Sequence, residues 1–273
     1  MVTRKIKNDY VIAIPSYNRP NELMKKSLST LKHYKIPNSK IHIFLHSNEE
    51  KKTYEEIIPK DLYGKLIVHN LPMGIGKVRN FIMDYFPLKK HIVSLDDDVS
   101  GYMEPVGGKL KHIKDLDSII KKGFQLCKEN NFTLWGFYPV SNAFFMKGEP
   151  ITKDLRFIVG GTMGFINKRK HVTLNFKEDY EYTLMCYKED GGVIRFNRIC
   201  VKHNVASSKG GIGKDQQARL EDYKKAAQNL MKRFPGLVHM NKQRDGEILL
   251  RDKSEGDILL RDKSEDKLLG SKA

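Results

Sequence analysis

The feature that most constrains this chain is an alternation running through its first hundred residues. Tyr10-Val-Ile-Ala-Ile14, Ile41–His46, Lys65–His69 and His91–Leu95 are short runs dominated by apolar residues. They are too short for helices and several are rich in β-branched residues, so they predict strands. Between them lie segments with helical spacing. Asn21 is a candidate N-cap, with Leu23, Met24, Leu28 and Leu31 recurring behind it. Glu49–Ile58 follows the second run, and Gly74–Phe86 reads as a loop entering a helix. Further on, 115–130 predicts an amphipathic helix. Residues 132–166 are strand and loop material, and 215–234 is a charged helix stopped by Pro235 and Gly236. Strands alternating with helices predict an α/β fold with a mostly parallel central sheet flanked by helices. Ligands in such sheets sit at the carboxyl ends of the strands, so the residues after each apolar run are the ones to inspect.

Length and composition set the outer limits. A chain of 273 residues with 40% hydrophobic residues can bury a real core and is not wholly disordered. The formal charge of +16 favours a polyanionic partner, either nucleic acid or a phosphorylated small molecule. Cys127, Cys186 and Cys200 are odd in number and widely spaced, which argues against a disulfide scaffold or a structural zinc site. No run approaches the ~18 apolar residues of a membrane span. The expectation is a reduced, soluble, cytoplasmic protein without a membrane partner. Residues 1–240 are expected to form one domain and 241–273 a charged tail. In that tail Ile248–Glu255 recurs as Ile258–Glu265. Two copies are too few for a solenoid. They read as a duplication, and removing 245–273 is expected to leave folding and turnover intact.

Six clusters carry candidate chemistry. Pro15-Ser16-Tyr17-Asn18-Arg19-Pro20 follows the first run, with Tyr17 able to stack on a base and Arg19 able to pair with a phosphate. Gly74-Ile-Gly76-Lys77-Val-Arg79 opens a helix and puts backbone amides and positive charge where an anion would bind, although it lacks the third glycine of a dinucleotide fingerprint. Asp96-Asp97-Asp98 ends the fourth run. Three adjacent carboxylates repel unless a cation relieves them, and alternation along an extended segment turns Asp96 and Asp98 the same way, as a pair able to hold Mg²⁺ or Mn²⁺. Gly160-Gly161-Thr162-Met163-Gly164-Phe165 permits close backbone approach, to a ligand or at a bulge. Glu178-Asp179 offers a general base. His203 precedes a glycine-rich stretch from Ser207 to Lys214 that resembles a lid but not a P-loop. Trp135, Phe137, Tyr138, Phe144 and Phe145 offer stacking faces, though sheet core is the favoured reading of them.

Taken in order, these clusters resemble the GT-A nucleotide-sugar glycosyltransferases of the family 2 type over residues 8–215. The match rests on Pro-Ser-Tyr-Asn-Arg, Gly-x-Gly-Lys-x-Arg-Asn, Leu-Asp-Asp-Asp, Gly-Gly-Thr-Met-Gly-Phe, Glu-Asp and the late histidine. Within that group the chain looks like the TET-associated glycosyltransferases of phages and large DNA viruses, which are similar to the base J glucosyltransferase. The resemblance implies an inverting transfer of a sugar, glucose by expectation, from a UDP donor to a hydroxymethylated pyrimidine in DNA, in the cytoplasm of an infected host cell. It implies that Pro15, Ser16, Tyr17 and Arg19 cradle the uridine and that Gly76, Lys77 and Arg79 lie against the nucleotide. Asp96 and Asp98 would reach the ribose and a divalent metal, with His203 as a further metal ligand. The triplet leaves open which two acids serve, so Asp97 stands with Asp96 among the donor-binding candidates. Asp179 would be the base, and Lys209 and Lys214 would close over the diphosphate. The alternatives are the same fold with a protein or polysaccharide acceptor, or a non-enzymatic basic nucleic-acid-binding protein.

Overall fold

A computed structural model describes residues 10–203, 216–241 and 243–252. The first four apolar runs form strands β1 (Tyr10–Pro15), β2 (Ile41–Leu45), β3 (Lys65–Val68) and β4 (His91–Leu95). They pair in parallel in the order β3-β2-β1-β4. In β1 the alternation of side chains fills two cores at once. Tyr10, Ile12 and Ile14 pack with Leu23, Leu28 and Leu31 on one face. Val11 and Ala13 pack with Ile82, Met83 and Phe86 on the other. Burial on both faces is why the run is continuously apolar rather than alternating.

The sheet continues past β4 with mixed direction. Strands β5 (Val99–Val106), β6 (Lys109–His112), β7 (Leu134–Tyr138), β8 (Ile151–Thr152), β9 (Thr162–Ile166) and β10 (Ile194–His203) complete it. Beyond β4 the order is β9-β7-β10-β5-β6, with β8 on β10. Here β9 is antiparallel to β4 and β7, β10 is parallel to β7, and β5 is antiparallel to β10. The expected central sheet flanked by helices is thus present, parallel through its first half. Strands β5, β6 and β10 were not legible in the sequence. Gly101 and Pro105 interrupt β5, and Arg195, Asn197 and Arg198 break the apolar pattern of β10. Trp135 and Phe137 are fully buried in the sheet core and Tyr138 nearly so, whereas Phe144 is 66% exposed. Gly164 lets the Trp135 indole cross β9: a Cβ there would lie 2.1 Å from the ring.

The helices are α1 (Pro20–Leu23), α2 (Ser29–His33), α3 (Asn48–Ile57), α4 (Ile75–Tyr85), α5 (Leu116–Glu129), α6 (Glu178–Asp190) and α7 (Gln216–Arg233). A π turn, Met24–Leu28, joins α1 to α2. α1 begins one residue before the candidate cap Asn21, with Arg19 at the N-cap and Pro20 in the first helical position, where a missing N–H costs nothing.

The expected boundary at residue 240 falls inside a folded unit. Strands β11 (Val238–Met240) and β12 (Ile248–Leu250) form an antiparallel hairpin. Ile248, the first residue of the first repeat copy, is fully buried with Tyr180 and Leu184 of α6 and Leu230 of α7. The first residues of 245–273 thus pack into the described fold, while the second copy lies outside the described residues. Ile248→Ala is expected to destabilise the protein by about 2–4 kcal/mol, read as a lowered midpoint in urea unfolding. Truncation after Arg244 should cost more stability than truncation after Asp252.

Candidate active site

The strand order places a topological switch between β1 and β4, where connections leave to opposite sides and a crevice opens at the carboxyl edge. A cavity of about 920 Å³ lies there. It is lined by Pro15, Ser16, Tyr17 and Arg19 after β1, Asp96, Asp97 and Asp98 after β4, and Gly160 and Gly161 before β9. Asp179 of α6 and His203 of β10 also line it. Gly74 and Arg79 line it as well, so five of the predicted clusters, far apart in sequence, and the late histidine meet in one crevice.

The three aspartates divide into one anchor and two acids facing the cavity. Asp97 is 1% exposed, takes a hydrogen bond from Ser16 Oγ at 2.7 Å and pairs with the Arg19 guanidinium at 2.5 Å. Burial pushes its carboxyl up to about 6 against the pull of Arg19. Ser16 Oγ also lies 2.7 Å from the buried Tyr54 hydroxyl, so Asp97 and Arg19 bind the β1 loop to the β4 turn. Asp97 and the Arg19 head group are thus engaged with each other, although both line the cavity.

Asp96 and Asp98 face the cavity from the same turn. Ser27, in the π turn, holds that turn by donating to the Asp96 carbonyl at 2.6 Å and accepting from the Val99 amide at 3.0 Å. Asp98 Oδ1 lies 3.0 Å from His203 Nδ1, and this hydrogen bond holds its carboxyl below the usual range. Burial pushes the His203 imidazole down, but the bond to Asp98 and the charges of Asp96 and Asp98 outweigh it and raise it overall. The register of β10 on β5 shifts between Lys202 and His203; such irregularities re-aim a side chain next to a site. Gly161 makes room: a Cβ there would lie 2.6 Å from His203 Nε2 and 3.8 Å from Asp96 Oδ2. Two carboxylates and an imidazole are a donor set that suits Mn²⁺ or Mg²⁺. Among the described residues, however, no three acid, cysteine or histidine groups are arranged around one point as a metal site. His203 Nδ1 and Asp98 face each other instead.

Arg79, expected against the nucleotide, is 4% exposed and saturated by protein groups. Its Nε donates to Glu178 Oε1 at 3.1 Å and its two terminal nitrogens to Ser94 Oγ at 2.7 Å and the Gly160 carbonyl at 3.1 Å, with Asp96 Oδ1 at 3.5 Å. Lys77 is exposed, and neither it nor Gly76 lines the cavity. The two glycines of that loop serve close packing. A Cβ on Gly76 would lie 2.1 Å from the Leu174 carbonyl oxygen, and Gly74, at φ 143°, faces Asn175. Lys209 and Lys214 lie outside the described residues.

Asp179 sits in the first turn of α6. Its Oδ2 accepts the Gly160 amide at 3.0 Å and its Oδ1 the Tyr180 amide at 2.9 Å. Burial raises its carboxyl above the ordinary range, with the Gly160 bond and Arg79 opposing. Burial and the neighbouring Asp179 push Glu178 up to about 7 despite its bond to Arg79. A carboxylate with two ordered donors keeps acceptor capacity for a third, so Asp179 can take a proton from a hydroxyl in the cavity.

The distal wall of the cavity was not anticipated. Phe157 stacks on Tyr180 at 3.8 Å between ring centroids, and Phe176 meets Tyr223 at 5.3 Å. Lys177, Arg244 and Glu247 complete the wall. No spacing marked these aromatics, and Arg244 and Glu247 belong to the segment read as a tail. His69, Phe44 and Tyr17 also line the cavity.

The division among the aspartates is testable. Asp97→Ala leaves the Arg19 charge without its partner and is expected to cost about 3 kcal/mol in denaturant unfolding. Asp98→Ala should cost markedly less stability and instead abolish any Mn²⁺-dependent thermal shift.

No family model matches the chain, and no curated protein matches it. Among solved structures it is similar to S. aureus TarS 1-349, with 11% identity, a TM-score of 0.47, and coverage of 82% of this chain and 65% of that one. The same fragment in complex with UDP gives 11% identity and a TM-score of 0.48, with the same coverage. A putative glucose-1-phosphate thymidylyltransferase from Bacillus anthracis, in complex with a sucrose, gives 10% identity and a TM-score of 0.43 over 68% of this chain and 86% of that one. The chain spans 65% of the TarS fragment and 40% of the longer TarS chain.

Proposed function

We propose that this chain is a nucleotide-sugar-dependent glycosyltransferase of the GT-A type. The observation that carries the reading is the convergence of Tyr17, Asp96, Asp98, His203 and Asp179 on one cavity at the β1/β4 switch. An acidic turn at that position, beside an aromatic residue and opposite a buried carboxylate, suits a nucleoside diphosphate donor on one side and an acceptor hydroxyl on the other. Tyr17 and His69 flank the place of the base. Asp98, Asp96 and His203 carry the donors that a divalent ion, Mn²⁺ or Mg²⁺, would take once His203 releases Asp98, and such an ion when bound would supply positive charge to a diphosphate leaving group.

The rest of the chemistry falls to the chain. Asp179 accepts the proton of the acceptor hydroxyl while that oxygen attacks the anomeric carbon from the face opposite the diphosphate, which inverts the configuration. The bond from the anomeric carbon to the phosphate oxygen breaks, and the diphosphate leaves with the electron pair. The Gly160 and Tyr180 amides aim the carboxylate, and Arg79 fixes the loop and helix that carry them. A positioned base of this kind is worth roughly 10²–10⁴-fold.

UDP-glucose is the proposed donor and a hydroxymethylated pyrimidine in DNA the proposed acceptor. The charge of +16 supports a polyanionic acceptor. The buried Trp135 and Phe137 take no part in it, which leaves Phe144 as the exposed ring of that stretch. Arg244 at the distal wall offers a phosphate contact.

UDP is expected to raise the melting temperature, and more so with Mn²⁺; no shift under either condition would sink the donor assignment. Asp179→Asn should lower transfer roughly 10²–10⁴-fold while UDP affinity holds. Because burial raises the Asp179 carboxyl, transfer should rise with pH through an inflection above the ordinary carboxylate range. Glu178→Gln removes a like charge and should move that inflection downward. DNA affinity should fall by roughly 10³-fold between about 50 and 200 mM salt; a flat dependence would point to a protein or polysaccharide acceptor.

A further inference from the structure

The first copy of the decapeptide repeat remains unexplained by the transferase reading, and it ends against the active-site helix. We infer that Glu247, through its ion pair with Lys177, is a positioning residue that clamps the first turn of α6 and so aims Asp179. The inference rests on the reading of Asp179 as base.

Lys177 is the N-cap of α6 and stands in the left-handed region at φ 58° with no side-chain cap. That region is sparsely populated for a residue with a Cβ. The Lys177 side chain is 1% exposed, and its ammonium lies 2.8 Å from Glu247 Oε2. It also sits over the Tyr180 ring at 5.2 Å and the Tyr223 ring at 4.9 Å. A cation this deeply buried needs its counter-charge, since loss of the partner leaves the charge uncompensated. Glu247 is itself fixed. Its amide donates to the Arg244 carbonyl at 3.2 Å, its carbonyl accepts the Asn241 amide at 2.9 Å, and its neighbour Ile248 is fully buried. The hairpin grips α6 a second time where the Tyr187 hydroxyl donates to Asp252. Asp179 follows Lys177 by two residues, so the turn that Lys177 caps decides whether its carboxylate reaches the Gly160 amide. The charged groups facing that carboxylate are Arg79 from α4, and Glu178 and Lys177 on its own segment.

The sequence supplies its own conservative variant. Deleting residues 246–255 joins Asp245 to Gly256, so that Asp257, Ile258 and Asp262 take the places of Glu247, Ile248 and Asp252. The full chain, Glu247→Ala, Glu247→Asp and the ten-residue deletion would be compared for UDP affinity, kcat and the pH dependence of transfer. Glu247→Ala should lower kcat roughly 10- to 100-fold with UDP affinity unchanged. Its pH inflection should move downward, because removing the Glu247 anion leaves the Lys177 charge uncompensated beside Asp179. Glu247→Asp and the deletion should recover at least part of both. Wild-type kcat and inflection in Glu247→Ala would overturn the inference. So would a loss of kcat that the aspartate variants fail to recover while they remain folded. Hydrogen exchange at the Tyr180 amide reads the clamp without turnover: faster exchange in Glu247→Ala supports it, and unchanged exchange overturns it. If the wild-type chain transfers no sugar yet exchange quickens, the transferase reading fails and the clamp stands.

Discussion

The site depends on one buried guanidinium. Arg79 comes from α4, and its bonds reach the side chain of Ser94 in β4, Asp96 in the acidic turn, the carbonyl of Gly160 ahead of β9 and Glu178 at the start of α6. Those four segments carry the cavity-facing acids, the glycine loop and Asp179. An isolated cation at 4% exposure would be prohibitive; surrounded by these acceptors it becomes a rigid joint. Burial works against its charge, and Glu178, Asp96 and Asp179 together restore it. The same carboxylates are held close together because that positive charge lies among them.

How much of this was legible in the sequence follows from what each residue does. Apolar runs buried on both faces announce themselves, so β1, β2, β3 and β4 and the polar residues after them could be placed in advance. Strand β10 could not, because Arg195 is buried by bonding to Asn197 at 2.7 Å and its polarity hides the pattern. The acid triplet was visible as chemistry. That Asp97 would turn inward to Arg19 while its neighbours faced the cavity depends on the loop after β1, which lies some eighty residues away. The glycine loop before α4 and Arg79 within it carried the marks of an anion site. Their actual partners, Leu174, Asn175 and Glu178, come from a distant segment that no local pattern ties to them. The hairpin at 238–250 was hidden by its own repetition, since a duplicated polar stretch looks dispensable until its first isoleucine is seen among Tyr180, Leu184 and Leu230.

Glycine does opposite work at neighbouring places. At Gly76, in the first turn of α4, it brings two backbone segments together. At Gly160 and Gly161 it leaves space for side chains that converge from other elements, with Arg79 Nη2 at 2.6 Å and His203 Nε2 at 2.6 Å from the positions a Cβ would fill. A methyl group at either would displace a charged or titratable group rather than a lipophilic one. Glycine there is a requirement of the site's electrostatics as much as of the backbone.

The π turn at Met24–Leu28 has an evolutionary corollary. Such a turn holds one residue more than the regular helix that would replace it, and each residue advances a helix by about 100°. Leu23 upstream, Leu28 at its end and Leu31 downstream all pack in the same core. Ser27, within it, reaches the backbone of the acidic turn from that widened coil. A one-residue gap in this stretch would swing the two halves out of phase and withdraw the hydroxyl together. Natural variation here should therefore be confined to exchanges of side chain, with chain length left untouched.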